Sequence, residues 1–169
     1  MAISNSTDFE PNVTEFVEEA YERCGLELRT GYDLKTAKRS INLMLAEWAN
    51  RGLNQWTINQ ATQTVTQGTA SYALNSNVID ILDMVVRRTV NSTVTDISIS
   101  RVGRSEYTNI PTKSTEGRPS QFFFDKLTTP VIKVWPTPEN STDIFLSNRI
   151  QRMDDISASV NDPDLPSRF

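Results

Sequence analysis

The sequence has no histidine and a single cysteine, Cys24. The first absence excludes a Ser-His-Asp triad, a Cys-His dyad and any histidine-ligated metal site. The second excludes an internal disulfide and a cysteine zinc cluster, and it fits folding in a reducing compartment. Glycine is scarce, at 6 residues, and no Walker-type, dinucleotide-binding or EF-hand motif occurs. Backbone loops that cradle phosphate are therefore not indicated. No stretch approaches the roughly 20 apolar residues that cross a bilayer. Residues 1–11 are polar and acidic and lack the charged-then-apolar pattern of a secretory signal. The closest carboxylate pair, Asp154-Asp155, falls in a polar stretch. Adjacent side chains of an extended chain point opposite ways, so the pair is no ready metal clamp. The expectation is a protein without catalytic residues, cofactor or metal.

What is present is modest. Hydrophobic residues make up 37% and charged residues 22% of 169, and the mean hydropathy is −0.42. That is enough for a lean core in a chain of single-domain size. The net charge of −4 argues against a dedicated nucleic-acid binder. Its distribution is uneven. Asp8, Glu10, Glu15, Glu18, Glu19, Glu22 and Glu27 crowd the start, and Arg87, Arg88, Arg101, Arg104, Lys113, Arg118 and Lys126 make the middle basic. Ordinary solvated charge explains such blocks, and so do complementary faces between neighbouring copies.

Asn12 and Glu15 form a capping pattern ahead of Val13, Phe16, Val17, Ala20, Tyr21 and Cys24, which mark one helical face with Cys24 buried; Gly25 ends it. Asp33 is placed to cap a second helix, whose apolar face runs through Leu34, Ala37, Ile41, Met44, Leu45, Trp48 and Ala49. A short connection predicts an antiparallel helical hairpin. Past Trp56 the chain turns Thr-rich. Residues 60–66 and 71–74 read as a β-hairpin about Gly68, and 78–88 as a strand with a helical turn near Asp80. A further strand is expected in 91–101, a helical turn at 105–107 and a loop over 111–119. Segments 120–125, 131–135 and 142–152 read as an antiparallel meander with Ile144, Leu146 and Ile150 toward the core. Residues 154–169 show no core pattern. The expected fold class is α+β: an N-terminal antiparallel helical hairpin or bundle with an inserted antiparallel β-sandwich or barrel-like layer. The expected division is 1–56 as arm and hairpin, 57–152 as the β-rich domain and 153–169 as a polar C-terminal segment.

Candidate interaction residues follow from pattern. Phe123 faces opposite to Phe122 and Phe124, so a thin domain has trouble burying both sides, and one face is a candidate contact with another copy. Trp48 and Trp56 flank the end of the second helix as core or interface anchors. Glu22 and Arg39 lie on the charged helix faces as candidate subunit contacts. Arg87, Arg88, Arg101 and Arg104 suit either phosphate of passing DNA or salt bridges, with a bridge to a neighbour favoured.

The run Ala20-Tyr21-Glu22-Arg23-Cys24-Gly25, then Leu28-Arg29-Thr30-Gly31-Tyr32-Asp33 and the segment 37–56, continued by 68–74 and 79–83, resembles the head-to-tail adaptor (connector) proteins of short-tailed and related tailed bacteriophages. The resemblance is strongest over 16–88 and implies a helical bundle with an inserted β-domain. It also implies a ring, commonly of twelve identical subunits, beneath the capsid portal protein. Such a ring joins the portal to the tail nozzle or tail tube, and genomic DNA passes through its channel without sequence-specific binding. Family members continue past a Pro-x-x-Arg-Phe-like ending, here Pro166-Ser167-Arg168-Phe169, into further helix. A shortened member and a piece of a longer protein both remain open. A lean core and charge blocks suit a part completed by identical copies. The alternative is a β-rich binding module, such as a carbohydrate-binding piece of a tail fibre.

Overall fold

A computed structural model describes residues 11–53 and 56–157. Residues 1–10 of the arm expected over 1–11, and residues 158–169 of the C-terminal segment, lie outside the described residues. The chain forms α1 (Val13–Arg23), α2 (Gly31–Asn50), β1 (Ile58–Thr64), β2 (Ser71–Ala73), β3 (Val78–Val90), β4 (Thr93–Ser98) and β5 (Ser100–Arg101). There follow α3 (Arg104–Asn109), β6 (Glu116–Gly117), β7 (Gln121–Asp125), β8 (Val131–Trp135), β9 (Thr137–Pro138) and β10 (Ile144–Gln151). The class is α+β, richer in strand than in helix. Two compact units are present, one of residues 57–152 and one of the helical segment together with the residues from Met153 on.

In the helical unit, α1 starts with the expected capping box. The Glu15 amide donates to Asn12 Oδ1 at 3.0 Å, and the Asn12 amide donates to Glu15 Oε2 at 3.0 Å. The cap of α2 is Thr30 rather than Asp33. The Asp33 amide donates to Thr30 Oγ1, whose hydroxyl donates back to the Asp33 carboxylate, so Asp33 sits inside the first turn. Val13 and Val17 of α1, Leu45 of α2, Met153 and Ile156 form one buried cluster. Tyr21, Leu28, Leu34, Ala37, Ile41, Trp48 and Trp56 pack against it. Ile156 corrects the reading of 154 onward as devoid of core residues: its amide and carbonyl bond the Asn42 side chain, which seats it among the helices. The cluster covers only the Val13–Val17–Tyr21 side of α1. Phe16 is 47% exposed, and Cys24, expected to be buried, is exposed too.

The β unit holds two open four-stranded sheets, in the orders β1-β10-β3-β4 and β2-β8-β7-β5, and a small β6-β9 pair. The open orders replace the barrel alternative. Val78, Ile81, Met84, Val86 and Phe145 from the first sheet share a core with Tyr72, Phe122, Phe124, Ile132 and Val134 from the second. Several pairings differ from the expectation. β1 pairs with β10 and β2 with β8, so segments 60–66 and 71–74 are no hairpin. Val65, 2% exposed, anchors the connection in the core, and the Gly68 amide bonds Pro138 O, which carries the chain from one sheet to the other. β3 is extended from Val78, without a helical turn at Asp80. Its pairing with β10 is irregular at two places: Asp83 opposes Asn148 and Ile81 opposes Arg149, leaving Leu82 as an extra residue, and Asp80 opposes Ile150 and Val78 opposes Gln151, leaving Ile79 as another.

β7 and β8 pair as expected, but β10 leaves the meander and inserts between β1 and β3. In β10 Phe145, opposite Val86, and Ser147 are fully buried, while Ile144 is 38% exposed. The shared core takes Phe145 from the alternate row, because the central position of β10 sets its facing through β3, while Leu146 of the expected row is buried as well. The 111–119 loop contains β6, which pairs parallel with β9.

Candidate functional site

The four arginines singled out by sequence each meet an aspartate of the same chain. Arg87 on β3 stands directly opposite Asp96 on β4, and its Nε and Nη2 each donate at 2.7 Å to one carboxylate oxygen. That fork geometry raises the Arg87 pKa and lowers that of Asp96. Arg88 points to the other face and bonds Asp143, with Nε–Oδ1 and Nη2–Oδ2 both at 3.0 Å. Asp143 is only 3% exposed, and the Asn140 amide donates to it at 3.1 Å. Burial pushes the Asp143 carboxyl up, but the bonds from Arg88 and Asn140 outweigh this and hold it below the ordinary carboxylate range. Arg101 donates to Asp80 Oδ1 at 2.8 Å and to Ile81 O at 2.9 Å, while Lys126 takes Asp80 Oδ2 at 3.0 Å. Burial raises the Asp80 pKa, and Lys126, the Ile81 amide and Arg101 together bring it below its usual value.

Arg104 opens α3 and reaches Asp125 Oδ1 at 2.5 Å, with Lys133 on Oδ2 at 3.2 Å. These two cations lie 5.5 and 6.0 Å from the centre of the Phe123 ring. Tyr107 of α3 stacks on that ring at 5.6 Å and 24°. Phe123 is therefore 7% exposed: the side expected to meet another copy is covered by α3 of its own chain. Sequence reading found Phe123 and Arg104 but not this cluster, because Tyr107, Asp125 and Lys133 gather only once α3 lies on β7.

Trp48 and Trp56 are half-buried against the helical cluster. Glu22 on α1 and Arg39 on α2 are exposed. One residue that sequence reasoning passed over is Arg149, 7% exposed in β10, whose Nε donates to Ser147 Oγ at 2.8 Å. Burial lowers its pKa. The outward face of the first sheet carries a depression bordered by Gln60, Asp83, Asp96 and Asn148, in which Asn148 Nδ2 donates to Asp83 at 2.7 Å. Among the described residues no group of three or more acidic or cysteine side chains is placed to hold a metal. Among them, too, no helix is long and apolar enough to cross a membrane.

Cations paired with in-chain carboxylates, two of them on Asp80 and two on Asp125, and rings stacked under a short helix, are fittings of a framework, and the class is that of a structural part. A family model described as SU10 adaptor protein matches residues 12–169, and the chain belongs to that family of bacteriophage adaptors. The family is structural rather than enzymatic, its members are virion components, and they interact with other phage structural proteins. No curated protein matches the chain.

Proposed function

We propose that the protein is a head-to-tail adaptor that closes into a ring of identical subunits, twelve by resemblance, at the head-tail junction. There it joins the portal protein to the tail nozzle or tube and surrounds the channel through which DNA leaves. The observation that carries this reading is the family match across 12–169. In this reading α1 and α2 pack as an antiparallel pair, the two sheets as a sandwich, and the ring is built from copy-to-copy contacts. Glu22 and Arg39 supply opposite charges to those contacts, and the half-exposed Trp48 and Trp56 supply apolar area. The pairing of Arg87, Arg88, Arg101 and Arg104 with aspartates of their own chain supports a bracing role over a phosphate-binding one. With the net charge at −4, a lumen so built lets DNA slide, because few counterions would be released on contact.

Native mass spectrometry of the chain mixed with its portal is the test. A species holding many copies of the chain per portal is expected, and an inert monomer beside intact portal overturns the reading.

A further inference from the structure

Among the described residues, the first sheet ends in two long strands with one side open, β1 and β4. β1 has 7 residues and β4 has 6, whereas the outer strands of the second sheet, β2 and β5, have 3 and 2. Exposed sheet edges are normally blunted by shortness, lysine, proline or a bulge, since each open N–H and C=O row templates another strand. The second sheet follows that rule and the first does not. β1 reads INQATQT, with neither charge nor proline, and five of its positions are exposed. β4 reads TVTDIS, and its one charge, Asp96, is matched across the sheet by Arg87.

Strand direction adds a constraint. Each neighbouring pair in β1-β10-β3-β4 is antiparallel, so β1 and β4 run opposite ways. A β1 laid beside the β4 of another copy therefore continues the antiparallel alternation, in a head-to-tail contact of the kind that closes rings. The facing residues are compatible. Opposed residues share a face, so Thr62, Leu146, Val85 and Ser98 form one row across the sheet. Threonines on both edges favour cross-strand packing, and no like charges meet.

We infer that the adaptor ring is knit by β-strand addition, β1 of one copy pairing antiparallel with β4 of the next. The occupant of each edge is a second copy of this chain, and the inference rests on the ring reading above. Polar side chains keep the edges hydrated in the free chain, and the backbone bonds form on assembly.

The test uses full-length chains carrying Cys24→Ser, one set with Thr62→Cys and one with Ser98→Cys, assembled with portal separately and as a mixture. A flexible bis-maleimide, which tolerates an offset in register, is then added. The mixture should give a cross-linked dimer holding one chain of each kind, and neither set alone should. Cross-linking of the Thr62→Cys set by itself points to a two-fold β1–β1 contact and overturns the inference. A second variant, Gln60→Lys with Thr62→Lys, places charge on an exposed edge. With an unchanged circular dichroism spectrum it should lose the multi-copy particle. A ring that still forms in that variant overturns the edge pairing and leaves the ring reading standing, whereas a monomeric parent chain beside portal removes both.

Discussion

Single residues in this protein act mostly through pairing. The Arg88–Asp143 contact has a nearly buried acid and a partly exposed base. Arg88→Ala leaves a buried carboxylate with the Asn140 amide as its remaining strong donor, and it should cost about 2 kcal/mol of stability, read from the urea midpoint. The same pair gives the protein an acid limit. The folded Asp143 and Asp80 titrate below their unfolded values. Their stabilisation is complete above the unfolded value of about 4 and is lost as the pH falls through the depressed folded values. Urea midpoints should thus hold between neutral pH and about pH 5 and drop below it, and Asp143→Asn should start lower and fall less steeply. Phe123 is a second test. With Tyr107 stacked on it and two cations at its face, Phe123→Ala should cost roughly 3 kcal/mol in the same assay.

Elements show where sequence is informative and where it is not. Helix positions, the Asn12 cap and most strand segments were legible because they depend on spacing within a few residues. Asn12→Ala should weaken α1 by about 1 kcal/mol, seen as lower helical ellipticity on heating. The β3–β4 turn was not read, although it too is local. Asn91 and Ser92 both adopt positive φ, 48° and 63°, and Val90 opposes Thr93, so the turn is a two-residue hairpin loop. Glycine suits the second position, so Ser92→Gly should raise the thermal midpoint while Ser92→Val lowers it. Strand pairing was the larger gap. The partners of β10 are β1 and β3, and nothing in the polar run INQATQT distinguishes a neighbour next in sequence from one far along the chain. The arginines of the candidate site were visible, but not their counterions: Arg88 and Asp143 are 55 residues apart, and Arg104 and Asp125 are 21 apart. Such pairs are fixed by the fold and cannot be read from charge blocks alone.

At the scale of the whole molecule, the two units differ in what holds them. The β unit shares one core between two sheets, while the helical unit, among the described residues, rests on five buried hydrophobic residues, two of them from beyond residue 152. Its surface leaves Phe16, Tyr32 and Leu43 at 47%, 74% and 66% exposure. A small core with apolar side chains left in water stabilises weakly, since each buried side chain contributes only about 1.5–3 kcal/mol against the entropy of ordering two helices. Binding that covers those side chains adds stability by mass action, and the increment grows with the concentration of the partner copy. Dilute chain should therefore lose its helical ellipticity at a lower urea concentration than the near-ultraviolet signal of Trp135 in β8, and the helical midpoint should climb with protein concentration and climb further with portal present. The β midpoint should move less. Coincident transitions that ignore both concentration and portal would mean that the helices complete themselves, and the exposed Phe16, Tyr32 and Leu43 would then need a partner other than an identical copy or the portal.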